Sequence, residues 1–257
     1  MKMTFDEYIV NPMGVNNAVF SHRELFRDLY TKKLDLITVR EAGKFDYFMF
    51  FDKKKGDYYL HVKVPSEVIE KFYYDVVIKF YTDDQTIANS KSLKKYNVRF
   101  FSNDPSFVYT FAHAMHKNDM LVEELSSKMS KLAMTKEGKI KNPKNEIGYV
   151  KSIYFAYLIA TRKNLFTKDM YTIYGEPYSK NTLLSRVEHA DDKIAARQDA
   201  ATTLAKKKKI EKNKEVNKIE SRTNNITKKS NNTKSLKISK TSKVSNKLKK
   251  TSKSKRI

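Results

Sequence analysis

The chain has 257 residues, of which 52 are Lys or Arg and 29 are Asp or Glu, for a net charge of +23. It contains no cysteine, which excludes disulfides, thiolate metal sites and thiol nucleophiles. Its six glycines form neither G-x-G-x-x-G nor G-x-x-x-x-G-K-S/T, and no G-x-S-x-G elbow occurs, so nucleotide hydrolysis and serine-elbow chemistry have no sequence support.

In chain order, Thr4-Phe-Asp-Glu7 has the form of a capping box, in which hydroxyl and carboxylate each satisfy a free helix N–H, and predicts a short helix ending at Asn11-Pro12. The acidic pair Asp6-Glu7 stands where a signal peptide needs its apolar region, and no 18-residue apolar run exists, so a soluble intracellular protein is expected. Ser21-His-Arg-Glu24 repeats the capping form, and Leu25, Leu29 and Leu34 predict a helix over about 22–36. The period then changes to two. Residues 45–51 and 58–64, joined by the turn Asp52-Lys-Lys-Lys-Gly-Asp57, predict a hairpin whose second strand puts Leu60, Val62 and Val64 inward and Tyr59, His61 and Lys63 outward. Residues 72–81 and 96–101 add two more strands, with a polar loop at 82–95. Asp104-Pro105 then opens a helix through about His116, residues 120–134 form another, and Asn142-Pro143 opens one reaching about Lys163. A break at Tyr174-Gly-Glu-Pro-Tyr178 precedes a thin stripe of Leu183, Val187, Ala190, Ile194, Ala201 and Leu204, read as an exposed helix.

The expected fold is therefore α+β. A small antiparallel sheet, a hairpin plus two strands, packs with several α-helices in a body of residues 1–175. An exposed amphipathic helix over 181–210 and a disordered lysine-rich tail over 211–257 follow. The chain's composition divides along the same line. All 16 Tyr and all 15 Phe precede residue 206, whereas residues 206–257 carry 18 Lys and 2 Arg against Glu211, Glu215 and Glu220, a net of +17. Residues 1–205 hold 32 basic and 26 acidic side chains, net +6.

Catalytic constellations are weak. His113 and His116 share a helix but lack a third ligand and a catalytic carboxylate at matching spacing. The acid–lysine pairs Asp75…Lys79 and Glu137-Gly-Lys139 have the residue types of a metal-dependent nuclease, yet a cross-strand charge pair explains Asp75 and Lys79 more simply. Neither a metal nor a cofactor is expected. Tyr59, His61, Lys63, Tyr73, Lys79, Tyr81 and Arg99 mix rings with positive charge on one sheet face, which either stacks bases or is covered by packing.

The strongest signal is the lysine run. Lys206, Lys207, Lys208, Lys209, Lys228, Lys229, Lys237, Lys240, Lys243, Lys247, Lys249, Lys250, Lys253, Lys255 and Arg256 are the candidate nucleic-acid contacts. They attract phosphate through counterion release, which needs no sequence code, and the excess of Lys over Arg fits backbone attraction better than base reading. No aromatic or leucine face accompanies them, so membrane insertion is not expected.

Phe5-Asp-Glu-Tyr-Ile9, Asn11-Pro-Met-Gly14, Arg40-Glu-Ala-Gly-Lys44, Phe72-Tyr-Tyr-Asp-Val-Val77 and Gly148-Tyr-Val-Lys-Ser-Ile-Tyr-Phe-Ala156 together resemble uncharacterised proteins of tailed bacteriophages, over roughly residues 1–170. The resemblance implies a non-enzymatic virion or assembly-associated protein, in the virion or host cytoplasm. Its partners would be other virion proteins and nucleic acid, DNA before RNA, bound without sequence preference. Two other readings stay open: a host-cytoplasmic DNA- or RNA-binding accessory protein using sheet and tail together, and a nucleic-acid-processing enzyme.

Overall fold

The computed structural model describes residues 2–10, 47–66, 69–137, 142 and 145–216. The predicted helix over 22–36 and all of the tail beyond Val216 lie outside the described residues. The chain divides into two units, Met1–Ala200 and Ala201–Ile257.

The first unit opens with α1 (Phe5–Val10), and its capping box is as predicted. The Thr4 N–H and hydroxyl donate to Glu7 Oε2 at 2.7 and 2.9 Å, and the Glu7 N–H donates to Thr4 Oγ1 at 3.3 Å. The strands follow the alternation closely: β1 (Tyr47–Asp52), β2 (Asp57–Pro65), β3 (Tyr73–Tyr81) and β4 (Asn97–Ser102) pair antiparallel in sequence order. In the β1–β2 turn the Asp52 carboxylate accepts from the Lys54 and Lys55 N–H groups, and Gly56, at φ +71°, supplies the left-handed residue.

The predicted polar loop between β3 and β4 carries α2 (Gln85–Ala88), capped by Asp84, and a 3₁₀ turn over Leu93–Lys95 capped by Ser92. After β4 the helices are shorter than the pattern implied. Asp104 does cap a helix, accepting from the Ser106 N–H at 2.8 Å, but α3 (Pro105–Thr110) breaks at Phe111 before α4 (Ala112–Lys117). The helix expected over 120–134 is a 3₁₀ segment, Glu123–Lys128, followed by α5 (Lys131–Thr135). Asn142 does not open a helix. Its amide donates to Thr110 O and Glu146 O and its oxygen accepts from the Glu146 N–H, which pins a loop, and α6 begins later, at Lys151–Arg162.

Next come α7 (Lys168–Tyr174), a two-residue strand β5 (Glu176–Pro177) and α8 (Lys180–Arg186). β5 pairs parallel with β1, so the sheet is mixed and five-stranded, in the order β4-β3-β2-β1-β5, rather than antiparallel and four-stranded. Two residues have no readable period, and Pro177 is tolerated because this is an edge. Residues 190–200 are helical and complete the first unit.

Both faces of the sheet are buried. On one, Phe5 meets Phe100 at 5.2 Å and Tyr157 at 5.1 Å, Tyr8 stacks on Phe100 at 4.3 Å, and Tyr171 meets Tyr58 edge-on, so α1, α6 and α7 form this layer. Each such ring removed from water stabilises the fold by about 1.5–3 kcal/mol. The opposite face, expected to point outward, lies under Glu124 of the 3₁₀ segment, Tyr178, Arg186 and Glu188. The stretch expected to be an exposed helix from 181 is accordingly part of the body. Leu183, Val187, Ala190 and Ile194 are buried in the core, and the chain breaks helix at 187–189 to place them. No helix among the described residues is long and apolar enough to cross a membrane.

Candidate nucleic-acid interface

Two surfaces were eligible from sequence: the ring-and-charge face of the sheet, and the lysine run. On the sheet, Tyr59, His61 and Lys79 are buried, and Lys63, Tyr73, Tyr81 and Arg99 are partly so. The polar atoms of Tyr59 and Lys79 and the Nε2 of His61 are committed to two internal clusters, and the Arg99 guanidinium to a local pair.

The first cluster is centred on Asp75 in β3. Its carboxylate accepts from His61 Nε2 at 2.8 Å, from the Asn103 amide at 2.9 Å and from the Glu188 N–H at 3.0 Å, while the Asp75 N–H donates to Asn103 Oδ1 at 2.7 Å. Burial pushes the Asp75 carboxyl up, but the bonds from His61, Glu188 and Asn103 more than offset this and hold it below its ordinary value. The cluster fastens the break at 187–189 to the sheet. Asp75 therefore does not pair with Lys79, as the shared strand face had implied.

Lys79 anchors the second cluster. Its ammonium lies 2.7 Å from Glu124 Oε1 and 3.0 Å from Asp57 Oδ2, and 5.4 Å from the centre of the Tyr59 ring. The Tyr59 hydroxyl donates to the same Glu124 oxygen at 2.7 Å, and Tyr178 stacks on Tyr59 with centroids 4.4 Å apart. Burial alone would lower the Lys79 pKa, yet Glu124 and Asp57 raise it, so the amine is held as an ammonium. The two acids respond oppositely. Burial dominates at Asp57 and raises it, whereas at Glu124 the bonds from Lys79 and Tyr59 outweigh burial and lower it. Burial, followed by the Glu124 charge, pushes the Tyr178 phenol up to about 12. A lysine kept charged between two carboxylates is neither a base nor a nucleophile; it ties β2, β3 and the 3₁₀ segment together.

Arg99, also on this face, lies 4.9 Å over the Tyr81 ring and pairs with Asp119. His113 Nδ1 is 2.8 Å from Asn145 Oδ1 while His116 is exposed, so the two histidines do not converge. No group of His, Cys, Asp and Glu among the described residues could hold a metal ion.

The lysine run differs in every respect. Residues 201–216, the described part of the second unit, are helical, and only Leu204 is partly covered. Lys206, Lys207, Lys208 and Lys209 of the candidate set sit here, exposed, with Lys212 and Lys214 beyond them. Helix thus extends past residue 210, where the sequence reading ended it, because Lys, Glu and Ile offer no breaker before Val216. Lys228, Lys229, Lys237, Lys240, Lys243, Lys247, Lys249, Lys250, Lys253, Lys255 and Arg256 lie outside the described residues. The buried clusters were missed from sequence because their members are far apart in the chain; a charged Asp between Tyr74 and Val76 in an apolar strand was the one signal available.

No protein-family model, curated protein or solved structure matches this chain.

Proposed function

We propose that this chain is a non-enzymatic nucleic-acid-binding protein. Its basic segment, residues 206–257, holds DNA by charge while the folded unit docks on other proteins, as a structural or assembly protein of a tailed phage would. The observation that carries the reading is the asymmetry of charge: 20 basic against three acidic side chains in residues 206–257, with no aromatic residue among them. Lysines that neutralise phosphates release condensed counterions, so affinity arises without a fitted surface. Lysine acts as a hydrated point charge, whereas bidentate base recognition favours arginine.

The reading predicts a steep salt dependence. If about eight basic groups each neutralise one duplex phosphate, log K falls against log salt with a slope near −7, and affinity drops roughly ten-thousand-fold between about 50 and 200 mM salt. Fluorescence anisotropy on one labelled duplex measures this, and a chain truncated after Ala205 should lose most of the binding. A truncated chain that binds as tightly as the full one would refute the charge-binding reading. Mass spectrometry of purified phage particles tests the setting, which requires this chain at many copies per virion.

A further inference from the structure

We propose that the preferred ligand is B-form duplex DNA, gripped through its major groove by the helix over residues 201–216. This rests on the charge-binding reading above and adds the form of the nucleic acid.

The argument is the distribution of charge around that helix. At about 100° per residue, Lys206, Lys209, Ile210 and Asn213 fall on one side. Lys207 and Lys214 form one flank of that side and Lys212 the other. Glu211 and Glu215 lie opposite, in one line with the partly covered Leu204 and with Lys208 beside them. The helix is therefore cationic over a broad arc and acidic along a single narrow line.

Such an arc fits a channel with phosphates on both walls. The major groove of B-form DNA is about 12 Å wide and admits an α-helix of about 10–12 Å diameter. With Ile210 and Asn213 toward the groove floor, the two lysine flanks face the two phosphate walls, and the Glu211–Glu215 line points out to solvent. An A-form RNA duplex has a major groove too narrow and deep for a helix. Single strands are held by base stacking on aromatic rings, and from Lys206 to Ile257 there is none. The helix also stands to gain from the ligand. Lys206 and Lys209, three apart, repel one another on the groove-facing side, and phosphates relieve that repulsion.

The test uses the full chain and three labelled probes of about 20 nucleotides or base pairs and matched sequence: a DNA duplex, an RNA duplex and a DNA single strand. The DNA duplex should bind about tenfold or more tightly than the other two at equal salt. Ile210→Pro breaks the helix while keeping every charge, and Ile210 is 55% exposed, so no packing is lost. This variant should lose the duplex preference, with DNA-duplex affinity falling about tenfold toward that of the RNA probe, while Ile210→Ala keeps it. Circular dichroism confirms that the proline variant has lost helix and nothing else. Equal binding of all three probes, or an Ile210→Pro chain that keeps its duplex preference, overturns the groove proposal and leaves charge binding standing. Binding that survives truncation after Ala205 overturns both.

Discussion

The Asp75 carboxylate is buried on a strand whose neighbours are apolar, and it survives there because three donors, from His61, Asn103 and Glu188, converge on it. Asp75→Asn keeps the volume but turns one acceptor into a donor facing other donors, which should cost about 2–4 kcal/mol at neutral pH by urea denaturation. The pH dependence has a definite sign. The folded-state pKa of Asp75 is depressed, so its stabilisation is fully present above the unfolded value of about 3.9 and is lost as pH falls through the lower folded value. The stability gap between wild type and Asp75→Asn should therefore be flat near neutrality and close below about pH 4. A gap that persists unchanged into acid would mean that the carboxylate charge is not what the network holds. From the sequence, the shared face of Asp75 and Lys79 was legible by strand alternation. Their true partners were not, since Glu124 and Glu188 come from segments 45 and 113 residues away.

Elements with a period were legible, and those set by tertiary contact were not. β1 to β4 appear within a residue or two of their expected bounds because apolar and polar positions alternate, and α1 because Thr4 and Glu7 are spaced for a reciprocal cap. β5 has no such signature. It exists because the chain leaving α7 is brought alongside β1 at Gly175, where a side chain is not tolerated: a Cβ there would collide with Tyr171 O and stand 3.1 Å from Met49 O. Gly175→Ala should accordingly destabilise the protein by about 1–3 kcal/mol, with faster hydrogen exchange concentrated in β1 and the turn into β5. An unchanged midpoint and unchanged exchange would show that the α7–β5 junction relaxes freely. The polar stretch after Tyr178 misled for a related reason. Its apolar stripe is thin for a core helix, but two short helical pieces joined by the pinned 187–189 break need only Leu183, Val187, Ala190 and Ile194 to cover a sheet face.

At the scale of the molecule, the burial pattern puts the boundary of the stable unit near residue 200, later than the expected body of residues 1–175, since the core runs through Ile194 and the first unit through Ala200. Two truncations separate the possibilities. A chain ending after Ala205 retains every buried residue of the first unit and should melt within a few degrees of the full chain. A chain ending after Tyr178 loses Leu183, Val187, Ala190 and Ile194 together with the Glu188 N–H that donates to Asp75. At about 2–5 kcal/mol for each large apolar side chain removed, that loss approaches the whole stability of about 5–15 kcal/mol expected for a domain, so the shorter chain should not fold cooperatively. Thermal melts followed by circular dichroism distinguish the two. If the chain ending after Tyr178 melts like the one ending after Ala205, the segment from 179 to 200 is an appendage. The sheet face carrying Tyr59, His61 and Lys79 would then be open to a ligand after all.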